Sequence, residues 1–395
     1  MPKRIIICCD GTWYQRKKAE RKRQPAPAES EKDALDHGAR FEAFWAAGGN
    51  VARIHTAIRL APEAEPHQHS FYDSGVGAGG GLWERIAGGA FGTGLTGNIQ
   101  QAYRRICESY EPGDELWFFG WSRGAFTVRS LLGLINFCGL VTDLDDSVVR
   151  EAYDDVYRES DATKRRRKGE AFRAKYSAIP IGELDIPFLG VWDTVGSVGI
   201  PVVGPRSWLA RRRWAFHDVE LGECVKRACQ AVAIDEERVP FRATTWEKPA
   251  PKPGETRRAQ VVEQCWFAGS HGDAGGSESR EPLVWMMERA EAAGLRLSPG
   301  SAELAGAALS PVHDAMDFWM GLLGRFVRPI GASGYGTGEF VHSSVAARLA
   351  AGHYSPSGAA LLSATPARRP WQIRGRRIPW LWRAYVRNRP AQPPA

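Results

Sequence analysis

The feature that most constrains this chain is a recurring join. Four apolar runs with strand character each stop on a turn, and each turn delivers a side chain able to do chemistry. Residues 4–9 run into Asp10-Gly11-Thr12, and Leu116–Phe119 runs into Gly120-Trp121-Ser122-Arg123-Gly124. Ile186–Trp192 runs into Asp193-Thr194-Val195-Gly196, and Gln260–Phe267 runs into Gly269-Ser270-His271-Gly272-Asp273. Between these runs lie stretches with helical spacing, such as Val51, Ile54 and Ile58, then Ile99, Ala102, Tyr103 and Ile106, then 125–137. Strands alternating with helices predict an α/β fold with a mostly parallel sheet and helices on both faces. In such sheets, sites lie beyond the carboxyl ends of the strands. Asp10, Ser122, Asp193 and His271 all fall there.

The rest of the chain is arranged around that frame. Residues 15–49 are charged and rich in Ala and Pro, and read as a mobile insertion. Residues 70–73 read as a short strand entering a glycine-rich loop over 74–97, and 143–185 as a helical insertion. A helix is expected near Glu223–Ile234, and Gln260–Phe267 is expected to be the last strand. The core domain is taken to span 1–362, followed by an Arg/Trp-rich tail over 363–395.

A serine hydroxyl is a poor nucleophile at neutral pH. It needs a base within hydrogen-bond reach and a carboxylate to orient that base. A sharp strand-to-helix turn flanked by glycines exposes the hydroxyl, and Gly120 and Gly124 occupy those flanks. A bare G-x-S-x-G occurs by chance in glycine-rich chains. Here it follows an apolar strand and precedes a helical pattern, and the order Ser122, Asp193, His271 is the hydrolase order of nucleophile, acid and base. The bland alternatives are a structural turn serine, an exposed turn histidine and a helix-capping aspartate. His55 and His313 are read as structural. Asp273 could brace the loop that carries His271, and Asp235 ranks below it. An oxyanion would need two backbone N–H donors, one from Arg123 and one from Gly11 or Thr12, with Asp10 shaping their loop.

Several classes fall away. The seven cysteines form no C-x-x-C pair, so buried reduced thiols are expected, and neither a metal nor a cofactor is. Two G-x-G-x-x-G matches, Gly75/Gly77/Gly80 and Gly92/Gly94/Gly97, do not follow the first strand as a dinucleotide site requires. They read as a flexible rim. No secretory signal and no bilayer-spanning run is visible, so the expected location is the cytosol unless a dedicated machine exports the protein. The formal charge is +7, and the segment Arg368–Arg389 alone holds eight arginines and no acid. There Arg368, Arg369, Arg374, Arg376, Arg377, Arg383, Arg387 and Arg389 interleave with Trp371, Trp380, Trp382 and Tyr385. Such a tail suits an anionic membrane surface. Trp208–Trp214 is a smaller patch of the same kind. Nucleic acid could use the same phosphate contacts and stacking, a reading ranked last.

Together the motifs resemble an α/β-hydrolase domain-of-unknown-function family that includes the catalytic domain of type VI secretion phospholipase effectors. The resembling pieces are Cys9-Asp10-Gly11-Thr12-Trp13, Asn50-Val51-Ala52-Arg53-Ile54 and Tyr72-Asp73-Ser74-Gly75-Val76-Gly77. Further along come Gly120-Trp121-Ser122-Arg123-Gly124-Ala125, Val191-Trp192-Asp193-Thr194-Val195-Gly196 and Trp266–Asp273. Val341–Val345 and Tyr354-Ser355-Pro356 are similar to the family's closing segment. The resemblance implies an α/β-hydrolase fold and an esterase acting on glycerophospholipid acyl esters. It implies Ser122 as nucleophile and His271 as base, and type VI secretion as an export route. Asp193 as the acid is an assignment by position. Two other readings stay open: a hydrolase of small esters or thioesters, and a non-catalytic membrane- or nucleic-acid-binding protein on a hydrolase scaffold. Oligomeric state is not legible.

Overall fold

The computed structural model describes residues 2–11, 37–62, 66–74, 90–177, 179–195, 221–222, 224–246, 260–276, 279–304, 309–315, 325–331, 338–352 and 354–356. Seven strands form one sheet: β1 (Arg4–Cys9), β2 (Gln68–Asp73), β3 (Glu115–Trp121), β4 (Asp185–Trp192), β5 (Val225–Ala233), β6 (Val261–Phe267) and β7 (Glu339–Val341). Their order is β2-β1-β3-β4-β5-β6-β7, and every neighbouring pair is parallel. The chain moves outward from β1 to β2, returns past β1 to β3, and then adds strands on that side only. The order therefore reverses between β1 and β3, which is where an open parallel sheet leaves a crevice at its carboxyl edge.

Both faces of the sheet are covered by helices, and the alternation of side chains shows how. Ile5, Ile7 and Cys9 of β1 pack with Leu116 and Phe118 of β3 against α3 (Ala90–Ser109) and α4 (Arg123–Cys138). Ile6 and Cys8 pack with Trp117 and Phe119 against α2 (Asn50–Arg59) and α8 (Glu281–Ala292). Strands buried on both faces lose polar alternation, and that is why these runs are apolar throughout. Burying each such large side chain contributes roughly 1.5–3 kcal/mol.

Four expectations are corrected. The helix expected near Glu223–Ile234 is strand β5. From Ala228 to Ala233 this interior strand is buried on both faces, so the period of two that marks a strand is absent. Strand β6 is followed by β7, which at three residues is too short to carry a pattern. Within the stretch read as a mobile insertion, His37–Ala46 forms helix α1, and Phe44 is part of the core against α2. Residues 12–36 lie outside the described residues. The match Gly92/Gly94/Gly97 lies inside helix α3 rather than in a loop before it. Gly75, Gly77, Gly80, Trp208–Trp214 and the tail over 363–395 lie outside the described residues. Within 143–185 lie α5 (Asp146–Arg150), a π-helical stretch over Glu151–Tyr157 and α6 (Ala162–Tyr176), and Asp185 already begins β4.

Register places the strand ends in one tier. Cys9 pairs with Gly120, Trp121 with Trp192, and Trp192 with Ala231. The residues just beyond those ends therefore emerge side by side along the carboxyl edge. Six of the seven cysteines are buried and Cys107 is half-buried, and all are free thiols. No helix among the described residues is long and apolar enough to cross a membrane.

Candidate active site

Ser122 sits between β3 and α4 with φ 55° and ψ −118°, a conformation L residues rarely adopt. Such a conformation costs on the order of 1–3 kcal/mol and persists only where the surroundings impose it. The surroundings here are explicit. The Ser122 N–H donates to Trp192 O at 3.0 Å, and Ser122 O accepts from Phe126 N–H at 3.2 Å. A Cβ on Gly120 would lie 2.7 Å from Ala125 Cα, and one on Gly124 would lie 2.0 Å from Cys9 O. Side chains at either position would push α4 off β1 and β3, so the two glycines are what allow the turn. The hydroxyl then stands at the N-terminus of a 16-residue helix, where partial positive charge favours a developing anion.

His271 is presented by the turn after β6. Gly269, at φ 111°, makes the bend, and Ser270 caps the short helix α7 (His271–Gly275). Asp273 closes that cap, accepting from Ser270 N–H at 2.8 Å and Ser270 Oγ at 3.1 Å. The His271 N–H donates to Glu236 Oε2 at 3.2 Å. Burial alone would raise the Glu236 carboxyl, but its bonds to Arg238 hold it below the ordinary range. The imidazole lies between Trp121, stacked at 5.3 Å, and Phe241, edge-on at 5.1 Å. Its Nε2 is 2.8 Å from Ser122 Oγ, and its Nδ1 is 2.5 Å from Asp193 Oδ2. A carboxylate on Nδ1 fixes the neutral ring with its proton there, which leaves Nε2 to accept from the serine hydroxyl.

Asp193 follows β4 and is fully buried, with φ 39°. Ser122 and Asp193 are the two non-glycine residues with positive φ among the described residues. Asp193 Oδ1 accepts from Ala233 N–H at 3.0 Å. Arg328 completes its shell, with Nη1 2.5 Å from Oδ1 and Nη2 2.9 Å from Oδ2. Burial works to raise this carboxyl, yet the Arg328 charge and the His271 contact outweigh it and hold it well below the usual carboxylate range. Arg328 was not singled out by the sequence. It is one of 52 basic residues and lies 135 positions from its partner. Glu236 and Phe241 were missed for the same reason, since no motif marks them.

The remaining expected residues divide. Asp10 is buried beside the elbow, accepting from Tyr72 Oη at 2.7 Å and from Gly11 N–H at 2.8 Å. Burial pushes its carboxyl up to about 6, partly offset by those two hydrogen bonds. The Gly11 N–H is thus engaged by Asp10 in this structure, while Thr12 lies outside the described residues. Arg123 is the first residue of α4, and burial lowers its guanidinium to about 10. Asp273 does not reach His271 Nδ1. It braces the loop and pairs with His313, whose Nδ1 is 2.6 Å from Oδ1. Asp235 also braces that loop, accepting from Gly269 N–H and Tyr354 Oη, each at 2.7 Å. Among the described residues, no three His, Cys, Asp or Glu side chains converge as a metal site would require.

Comparison with known proteins gives one family. The description "T6SS, Phospholipase effector Tle1-like, catalytic domain" matches residues 3–289. An uncharacterized protein of Saccharomyces cerevisiae, YEL023C, is 26% identical over 213 residues, covering 49% of this chain and 29% of its own length. Among solved structures, an uncharacterized protein from Pseudomonas aeruginosa matches with TM-score 0.39 and 18% identity, over 75% of this chain and 46% of that one. The Tle1 effector bound to the VgrG spike of the type 6 secretion system matches with TM-score 0.35 and 18% identity, over 71% and 52%. The chain thus spans about half, or less, of the length of each of these relatives.

Proposed function

This chain belongs to the family of Tle1-like phospholipase effector catalytic domains, and on that premise we propose that it is a serine esterase that cleaves acyl esters of glycerophospholipids through an acyl-enzyme. The observation that carries the reading is the hydrogen-bonded line from Ser122 Oγ to His271 Nε2 and from His271 Nδ1 to Asp193 Oδ2. His271 takes the hydroxyl proton as Ser122 Oγ attacks the acyl carbonyl. Asp193 stabilises the imidazolium that results. The tetrahedral oxyanion is received at the N-terminus of α4 by the Arg123 N–H, with the Gly11–Thr12 loop supplying the second donor. Gly11 can do so only when its N–H leaves Asp10 Oδ1. The imidazolium then gives its proton to the departing alcohol oxygen. Water, deprotonated by His271, attacks the acyl-enzyme, and Ser122 leaves with the proton.

Two measurements test this. A fluorophosphonate probe should label the wild-type chain at Ser122 and leave Ser122→Ala unlabelled. Phospholipid vesicles incubated with the protein should release fatty acid or lysophospholipid. Absence of Ser122-dependent labelling would remove the reading. The Arg/Trp-rich tail is proposed to dock the enzyme on anionic bilayers, since each basic side chain near such a surface contributes about 1 kcal/mol. Deleting 366–395 should weaken flotation with anionic liposomes and spare hydrolysis of a soluble short-chain ester. Equal flotation of both proteins would rule the docking out.

A further inference from the structure

We infer that Arg328 is a positioning residue of this site: its guanidinium fixes the plane in which Asp193 presents Oδ2 to His271, and its charge keeps Asp193 ionised opposite the imidazole. The inference rests on the serine-hydrolase reading and adds to it a residue that lies beyond the family match over 3–289.

The geometry is specific. Two Nη atoms of one guanidinium meet both oxygens of one carboxylate, which fixes the carboxylate plane in a way a single contact cannot. The fork itself is anchored from behind. Nη1 also donates to Ala233 O at 2.8 Å, and Nη2 to Phe241 O at 2.6 Å. Both groups are buried, Arg328 at 2% exposure and Asp193 at 0%. The segment that carries Arg328 is clipped to the loop after β5, whose Glu236 accepts from the His271 N–H. Phe326 N–H donates to Glu237 O at 2.8 Å, and Arg325 pairs with Glu237 at 3.0 Å. Ile330 packs into a core cluster with Val232, Ile234 and Trp266.

A plain structural tie would need none of this to involve the carboxylate that faces the imidazole. Because it does, loss of the guanidinium acts on the base through that carboxylate. Asp193 would lose its strongest counter-charge and be pushed towards its neutral form by burial. A protonated Asp193 would donate to Nδ1 and leave the imidazole proton on Nε2, the tautomer that cannot accept from Ser122. Among the described residues, the other charged groups around the pair are Glu236, Arg238 and Asp273, and all three remain in the variants below.

The test is the rate of Ser122 phosphonylation by a fluorophosphonate probe as a function of pH, on the full chain. Arg328→Met is expected to move the acid limb of that profile upward by about 1–3 pH units. Arg328→Lys keeps the charge and loses the fork. Its acid limb should stay in place while the plateau rate falls by about 10²-fold, the cost of a misplaced catalytic group. Thermal melts accompany each variant. A folded Arg328→Met with the wild-type limb overturns the inference. If Arg328→Met does not fold, Arg328→Lys decides: a slowed plateau supports positioning, and a wild-type plateau overturns it. A wild-type chain not labelled at Ser122 would end the hydrolase reading and this inference together, whereas a labelled wild type with unmoved variants ends this inference alone.

Discussion

Two His–Asp pairs, one joining residues 78 apart in the chain and the other residues 40 apart, are almost alike in their primary contact. His271 Nδ1 meets Asp193 at 2.5 Å, and His313 Nδ1 meets Asp273 at 2.6 Å. Their surroundings differ in every other respect. The His271 side chain is 7% exposed and has Ser122 on its far nitrogen, whereas the His313 side chain is 50% exposed. Asp193 sits on a positive-φ turn with a guanidinium across it, and Asp273 spends its second oxygen on a helix cap. On the proposed reading, a short His–Asp contact is therefore not by itself a signature of catalysis. On that reading, the third member on the ring's other nitrogen and the deeper burial of the first pair separate the catalytic pair from a brace.

That contrast can be broken most forcefully at the nucleophile. Ser122→Ala should lower ester hydrolysis by about 10⁶-fold, as loss of a triad serine does, with little change in thermal melting. A variant that kept most of its turnover would make the first pair no different from the second. Next comes the acid. Asp193→Asn should cost about 10⁴-fold in kcat, the effect of the wrong imidazole tautomer. Near-normal turnover of that variant would shift the acid role away from Asp193.

The second pair predicts smaller numbers and a different observable. Asp273→Ala removes the cap on α7 and three further hydrogen-bond donors' acceptor, so it should lower stability by about 1–3 kcal/mol. Activity should fall with it by about 10²-fold or less, through a loosened His271 loop. His313→Ala should cost under about 1.5 kcal/mol and leave the rate close to wild type, because Asp273 Oδ2 keeps both Ser270 donors. Denaturant titration alongside ester kinetics checks both. A His313→Ala loss rivalling His271→Ala would dissolve the distinction.

A third buried carboxyl sharpens the role of the cation. Asp10 is as buried as Asp193 but has a phenol and an amide as partners in place of a guanidinium, and it is raised to about 6. Its ordinary value is about 3.9. The folded value lies above the unfolded one, so the stability linked to this proton is full below about pH 4 and is lost as pH rises through about 6. Asp10→Asn should flatten the unfolding free energy between those values, measured by denaturation at several pH points. An unchanged slope would place that titration elsewhere.

How much of this was readable beforehand depends on the range of the signal. The turn Gly120–Gly124, the placement of Asp193 and His271 after strands, and the apolar runs of β1, β3, β4 and β6 are local patterns, fixed by backbone sterics and side-chain periodicity within a few residues. They were legible. Strand β5 was not, because burial on both faces erases the alternation by which a strand is recognised. Arg328 was not, because an ion pair across 135 residues leaves no trace in local spacing. Chain order pointed to Asp193, but not to why Asp273 does not meet His271. The nearer aspartate is drawn into the cap of its own helix by Ser270, and the distant one arrives because adjacent parallel strands end in one tier. The sequence by itself determined which residues stand at the carboxyl edge of the sheet. The tertiary structure alone decided which of them touch, because that follows from strand order and from which buried charge finds a counter-charge.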